Sequence, residues 1–417
     1  MKKHCFLLFC LLITSYNYAQ VNQNKPLPII FVHGMLASGD TWALQFQRFE
    51  QQGYTKNMLA VVDWNTIAMG NRNGVGLDSI INHLLQINQV KQVNLVGHSA
   101  GGGVCYNYLQ QSQNAEKVAH YVHVGSGKMK TPPTVPTLNL YSLEDKITGG
   151  SNIDGVKNIA LTNKDHYEVA TSQESFEAMF QFFNDATATT IKTSTPKKIT
   201  VGGRVVTFGE NKPEANATIT VFVMNAIEGK RKNTKSIFTT TTDSMGYWSG
   251  FNALVNEYYE FVVQSADTAK RAVHYFREPF THNNSLVYLR TLSNKGMTGM
   301  IAQQLPANHN QSVLAVFSAN KAVINGRDSL TVNGINLTDK KFATAEKTTI
   351  AFFLYDNGDE QSSTNKHAGF GILPFMNMVD VFLPASSKPI QLYLNGRKMN
   401  IPAMSSLQEG IMVAVFD

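Results

Sequence analysis

Between Pro28 and Asn184, short continuous apolar runs alternate with longer stretches of helical spacing. Ile29–Val32 and Leu59–Val62 are apolar throughout, and Val93–Val96, Tyr121–Val124, Thr137–Tyr141 and Asn158–Leu161 are apolar runs interrupted only at Asn94, His123, Thr137, Asn139 and Asn158. Strands covered on both faces by helices have that pattern. Thr41–Gln52, Gly76–Gln89, Gly101–Gln111 and Ser172–Phe183 lie between or after them as helices. The last carries Phe176, Met179, Phe180 and Phe183 at helical intervals. The alternation predicts an α/β fold, a doubly wound and mostly parallel sheet of about six strands. A Thr/Ala/Ser/Lys-rich stretch with Pro196 then reads as a linker over 186–198. Beyond it the period changes to two. Thr218–Val223, Ser236–Thr242, Tyr258–Val263 and Ser285–Leu289 are short alternating runs separated by polar turns, an all-β signature. The rhythm continues from about Asn294 through Ser312–Phe317, Thr348–Tyr355, Val379–Leu383, Gln391–Leu394 and Met412–Phe416. The division expected is 20–185 for the α/β domain, 199–293 for a β-sandwich and 294–417 for a second β unit. The pattern leaves open whether the β part is one body or two.

One stretch organises the chain. Val93 to Val96 runs into Gly97-His98-Ser99-Ala100-Gly101, and small residues then open a helix. A G-x-S-x-G pattern between a strand and a helix is the context of a nucleophile elbow. The serine hydroxyl must stand out of a strained turn, where only small neighbours at Gly97 and Gly101 avoid a clash. The helix N-terminus beneath it offers free N–H groups to a developing oxyanion.

A serine needs a base, and the base needs an acid to hold its tautomer. In this fold they follow in the order Ser, Asp or Glu, His. Thr137–Tyr141 is followed by Ser142-Leu143-Glu144-Asp145, and Asn158–Leu161 by Asn163-Lys164-Asp165-His166. Strand C-terminal ends are where such sheets carry function. His166 is therefore the expected base, with Asp145 and Glu144 as rival acids. Asp165 cannot easily reach its own neighbour's ring and reads as a solvated loop charge. His98 should point to the far side of the elbow, and His83, His120 and His123 belong to core or surface. After the first strand, Phe31-Val32-His33-Gly34-Met35 makes a tight turn, so the backbone N–H groups of Met35 and Ala100 are the expected oxyanion donors, with His33 propping the loop. No histidine pair shows ligand spacing, so no metal or other cofactor is expected.

The 417-residue length calls for more than one core, and 16% charged residues describe a globular chain. Met1 to Ala19 has the charged start, short apolar core and Asn17-Tyr18-Ala19 cleavage pattern of a secretory signal peptide. Its apolar run is too short for a permanent membrane span, and bulky Phe9 before Cys10 argues against lipid attachment. With Lys2 and Lys3 gone, the formal charge of +6 falls to +4, spread without a basic cluster, which argues against nucleic-acid binding. Of three cysteines only Cys105 would remain, one turn into the helix after Ser99, as a buried thiol.

Residues 28 to about 170 resemble the small secreted bacterial triacylglycerol lipases of the α/β-hydrolase superfamily. The resemblance rests on Phe31-Val32-His33-Gly34, Val61-Val62-Asp63-Trp64, Val93 to Gly102, Lys117-Val118-Ala119 and Leu140 to Asp145. It implies Asp145 as the triad acid and His166 as the base. The chain departs from the family at Ala100, where methionine is frequent, and around His166, where Asp165, Tyr167 and Glu168 make a more polar rim. The layout as a whole resembles an archaeal lipase type with a C-terminal β domain. There the acid follows the preceding strand, and the matching residue here is Gly125, which cannot serve. Asp243-Ser244-Met245-Gly246-Tyr247-Trp248 with Tyr258-Tyr259-Glu260-Phe261 resembles transthyretin-like sandwiches appended to secreted hydrolases, with Tyr247 and Trp248 as core rather than ligand platforms.

The expected protein is a secreted serine carboxylester hydrolase, a lipase or esterase acting on acylglycerols, its substrate a lipid or polymer ester presented at an interface. Trp64, Ile67 and Met69, on the loop from Trp64 to Asp78, are the expected acyl-pocket wall. The alternatives are an extracellular polyhydroxyalkanoate depolymerase, which also joins a hydrolase to a β module, and an inactive surface-binding relative.

Overall fold

A computed structural model describes residues 26–68, 76–189, 198–367 and 374–417. The expected signal segment, Met69 and most of the expected linker lie outside these residues.

Six strands form the first sheet: β1 (Ile29–Val32), β2 (Leu59–Val62), β3 (Val93–His98), β4 (Val118–Val124), β5 (Thr137–Ser142) and β6 (Lys157–Leu161). They pair in the order β2-β1-β3-β4-β5-β6, every pair parallel. Adjacent residues on one strand point to opposite faces, so Ile29 and Phe31 enter one core and Ile30 and Val32 another. The helices α1 (Ala43–Gln51), α2 (Leu77–Asn88), α3 (Ala100–Leu109), α4 (Ser112–Ala115), α5 (Glu168–Thr171) and α6 (Gln173–Asn184) follow the strands. Phe46, Phe49, Phe176, Met179 and Phe180 of α1 and α6 cover one face. Leu77, Ile81, Leu84, Val104 and Leu109 of α2 and α3 cover the other. This is the doubly wound α/β arrangement that the apolar runs predict. The inner strands β1 and β3 are buried at every position, whereas the edge strand β6 is exposed at Lys157 and Ala160.

The remainder is built of β7 (Ile199–Thr207), β8 (Thr218–Asn225), β9 (Lys230–Arg231), β10 (Phe238–Thr241), β11 (Tyr247–Ala253), β12 (Tyr258–Gln264), β13 (Val273–Arg277) and β14 (Asn284–Thr291), then α7 (Gly296–Gln304). After it come β15 (Leu314–Ser318), β16 (Leu330–Val332), β17 (Ile335–Asn336), β18 (Ala351–Tyr355), β19 (Met376–Asp380), β20 (Ile390–Leu394), β21 (Arg397–Ile401) and β22 (Ile411–Phe416). One sheet runs through both β segments in the order β10-β8-β12-β13-β22-β15-β18-β19, with β9 on β8. The join is the parallel pair β13 and β22, His274 opposite Met412. A strand pair this distant in sequence leaves no local pattern, which is why the sequence leaves one body or two undecided. The sheet β11-β7-β14 packs on its first half through Val201, Val221, Trp248, Phe251, Tyr259 and Phe261. Trp248 is thus core as expected, whereas Tyr247 is 47% exposed.

The β-region docks on the α/β domain beside the C-terminal ends of β1 and β2. Asp63, just past β2, accepts hydrogen bonds from Arg204 Nη1 (2.6 Å) and Tyr288 OH (2.6 Å) of the β-sandwich and from the Gly39 N–H (2.9 Å). Asn211 donates to the carbonyls of Ala37 (2.8 Å) and Trp64 (3.0 Å). Arg290 Nη2 reaches Asp40 Oδ1 at 2.5 Å.

Candidate active site

Ser99 sits between β3 and α3 with φ +54° and ψ −124°, a conformation that L-residues avoid. The glycines around it make room. A Cβ at Gly97 would meet Cys105 Sγ and Gly102 Cα at 2.7 Å, and one at Gly101 would press into the backbone of Val32 and His33. A Cβ at Gly34 would stand 3.0 Å from that of Ser99, so the turn after β1 passes directly beside the serine. Ala100 opens α3, so its N–H has no partner within the helix. Met35 follows Gly34 on the same turn.

The expected acid and base, Asp145 and His166, lie side by side. His166 Nδ1 and Asp145 Oδ2 are 2.8 Å apart, and both side chains are buried. Asp145 also accepts from Ile147 N (2.9 Å), Thr148 N (3.1 Å) and Thr148 Oγ1 (2.7 Å). Burial pushes its carboxyl pKa up, but the bond and charge of His166 and the Thr148 donors outweigh this and bring it to about 2. An ionised carboxylate only accepts, so Nδ1 carries the proton and Nε2 holds the free lone pair. Among the described residues Nε2 is buried without a hydrogen-bond partner. Glu144 is exposed and turned to Ser142 Oγ at 2.8 Å, which separates the two rival acids.

Three sequence readings change. Asp165 is buried, not solvated: Oδ1 accepts from the N–H groups of Tyr167 (2.8 Å) and Glu168 (2.9 Å), and Oδ2 from Ala322 N (3.0 Å) and Arg327 Nη2 (2.9 Å). His98 does not turn away from the base; its ring lies 4.7 Å from that of His166, and Nε2 donates to the His166 carbonyl at 2.9 Å. Burial, then the neighbouring His166, lowers its pKa to about 3 and keeps it neutral for that role. Trp64 is 6% exposed in the core beneath α2, donates to the His33 carbonyl at 2.9 Å and stacks on the His33 ring. It supports the turn of Gly34 and Met35 rather than offering a wall to a chain. Ile67 packs with Met35 against the apolar cluster of Leu36, Tyr167, Ile301 and Phe375. Met69 lies outside the described residues. Cys105 is buried, which pushes its thiol pKa well up and suits an inert core role.

The site has neighbours that the sequence does not announce. Phe375, next to β19, stacks on His166 with centroids 5.7 Å apart and planes at 6°. An interdomain cavity of about 170 Å³ has Leu36, Tyr167, Tyr275, Phe317, Phe353 and Phe375 among its lining residues. Ser99 and His166 do not line it, yet Leu36, Tyr167 and Phe375 connect its wall to theirs.

Residues 28–146 match the family model described as the alpha/beta hydrolase fold, and residues 197–294 match that of the lipase C-terminal domain. Residues 28–146 thus match an α/β-hydrolase fold and residues 197–294 a lipase-type C-terminal β domain. Residues 301–417 match a further C-terminal domain model. Solved structures similar to this chain include one described as a predicted CIB-like hydrolase from Thermoplasma acidophilum, at 17% identity and TM-score 0.31 over 40% of this chain and 89% of that one. An esterase from Exiguobacterium antarcticum aligns at 14% identity and TM-score 0.30 over 39% and 93%. A bromoperoxidase from Bacillus anthracis aligns at 14% identity and TM-score 0.30 over 38% and 92%.

Proposed function

We propose that this chain is a secreted serine carboxylester hydrolase, a lipase or esterase acting on acylglycerols. The observation that carries the reading is the 2.8 Å bond between His166 Nδ1 and ionised Asp145, which leaves Nε2 of that imidazole without a hydrogen-bond partner among the described residues. Ser99 Oγ attacks the ester carbonyl while His166 Nε2 takes its proton. Asp145 holds the tautomer and stabilises the imidazolium. The N–H groups of Met35 and Ala100 receive the oxyanion, each such donor contributing about 3 kcal/mol in related mechanisms. The protonated His166 passes its proton to the leaving alcohol, and an acyl-enzyme at Ser99 remains. Water, activated by the same base, then releases the acid. The elbow hydroxyl and Nε2 need no bond in the resting enzyme, because such contacts tighten with substrate. The apolar interdomain cavity favours an acyl chain over a polar ester group, and the signal-like Met1–Ala19 favours secretion.

The test is hydrolysis of p-nitrophenyl esters from acetyl to palmitoyl by the wild type and Ser99→Ala. Activity that rises with chain length and vanishes in the variant supports a lipase. Activity on short chains alone, with turnover of solid polyhydroxyalkanoate but not emulsified triacylglycerol, moves the substrate to polyester. Esterase activity unchanged in Ser99→Ala, or none at all, ends the reading.

A further inference from the structure

The segment that presents His166 is gripped from outside its own domain. Residues 320–328 of the C-terminal β region lie against residues 165–171. Arg327 Nη2 meets Asp165 Oδ2 at 2.9 Å and Nη1 meets Glu168 Oε2 at 2.7 Å, so a single guanidinium bridges the residue before the base and the second residue after it. Ala322 N donates to Asp165 Oδ2 at 3.0 Å, and Thr171 Oγ1 donates to the Asn320 carbonyl at 2.5 Å. Arg327 is itself fixed. Its Nε donates to Asp328 Oδ2 at 2.8 Å, and Asp328 is held in turn by Lys321 Nζ (2.7 Å), Ile324 N (2.9 Å) and Asn395 Nδ2 (2.8 Å).

We propose that Arg327 is a positioning residue for the base: by bridging Asp165 and Glu168 it fixes the turn that carries His166, so the site is complete only with the C-terminal region docked. The proposal rests on the reading of His166 as the base. The Asp145 bond fixes the imidazole at Nδ1, and the rings of His98 and Phe375 pack beside it. Where Nε2 lies then depends on the backbone of residues 165–168. Asp165 organises that backbone by capping Tyr167 and Glu168 with Oδ1, and because its side chain is 2% exposed the buried charge needs the Arg327 guanidinium, which joins the Ala322 N–H on its other oxygen. Asp165 and Glu168 would repel each other across the turn without a cation between them. A planar guanidinium serves both carboxylates at once, which an ammonium on a flexible stem does less well. Phe375 meets the imidazole face with its planes at 6°, so the same β region that sets the backbone also limits the ring. Two other interdomain ion pairs among the described residues, Asp63 with Arg204 and Asp40 with Arg290, hold the turn after β1 and do not involve Asp165 or Glu168.

The experiment compares the full-length wild type with Arg327→Ala, Arg327→Lys and Asp165→Asn, using a p-nitrophenyl ester and fluorophosphonate labelling of Ser99. Displacing a reacting group by about 1 Å costs up to about 100-fold in rate. Arg327→Ala is expected to lower kcat by about 10- to 100-fold with KM within about two-fold, and to slow labelling by the same factor. Arg327→Lys should recover part of the loss, and near-isosteric Asp165→Asn should reproduce it. A lower denaturation midpoint with unchanged kcat per labelled site overturns the proposal, because that is what a purely structural tie would give. If Arg327→Ala does not fold, Arg327→Lys and Asp165→Asn decide by the same kcat measurement. Failure of the wild type to label at Ser99 would instead remove the base reading itself, whatever Arg327 does.

Discussion

Asp63 Oδ2 receives both Arg204 Nη1 and Tyr288 OH at 2.6 Å, and through this carboxylate the β-sandwich is tied to the turn beside Ser99. The other oxygen accepts the Gly39 N–H at 2.9 Å and lies 3.5 Å from His33 Nε2. Asp63 is thus a buried ion-pair partner with contacts on both sides of a domain boundary. Removing one member of such a pair costs about 3–5 kcal/mol, because the other charge is left buried and unpaired. Arg204→Ala is expected to lower the unfolding free energy from urea titration by that amount, and Tyr288→Phe by about 1 kcal/mol. An unchanged midpoint in Arg204→Ala would show that the pair does not hold the domains together.

Asp63 and Asp145 also set the acid limit of the fold. Burial raises each pKa, but partners outweigh it and bring both from 3.8 to about 2: first His33 for Asp63, and His166 for Asp145. A carboxyl whose folded pKa lies below its unfolded value stabilises fully above the unfolded value and loses that contribution as pH falls towards the folded one. Each should therefore contribute about 2 kcal/mol above about pH 4 that disappears towards about pH 2. Urea titrations of the wild type and Asp63→Asn across that window check this. The two stability curves should converge as the pH falls, and parallel curves would refute the assignment.

Asp145→Asn keeps the shape of the acid while removing the charge that selects the tautomer of His166. In Ser-His-Asp sites this costs about 10⁴-fold in kcat. The same fall is expected here with soluble, folded protein, whereas Glu144→Gln should stay within about two-fold of wild type, since its carboxylate faces Ser142 and solvent. A kcat measurement on both variants separates the two neighbours.

The φ of +54° at Ser99 implies stored backbone strain. Such conformations cost about 1–3 kcal/mol in a residue with a Cβ, and glycine relieves most of this at an entropic cost of about 0.5–1 kcal/mol. Ser99→Gly should be inactive, like Ser99→Ala, yet more stable than it by about 1 kcal/mol. Thermal unfolding of the two variants side by side tests whether the elbow is strained. Equal midpoints would say it is not.

The sheet and the chemistry-bearing residues were legible in the chain for local reasons. Continuous apolar runs mark strands covered on both faces, and Gly97 and Gly101 mark a turn that no other residue fits. Asp145 and His166 stand where successive strands end, and the parallel order of those strands delivers both to one edge. Every such signal spans a few residues. What surrounds the base depends instead on contacts between distant segments. Arg327 is 161 positions beyond His166, and Phe375 further still; neither sits in a motif, and a charge or an aromatic ring in a β run has no period that tells its partner. For the same reason Asp165 read as a solvated loop charge until Ala322 and Arg327 closed over it, and Trp64 as an acyl wall until it was found behind His33. Sequence alone determined where the candidate residues Ser99, Asp145 and His166 stand on the sheet, because backbone turns and strand ends are local. Tertiary structure decided how the base is held and where the apolar cavity lies, because burial and charge pairing are properties of surfaces that meet only in the folded chain.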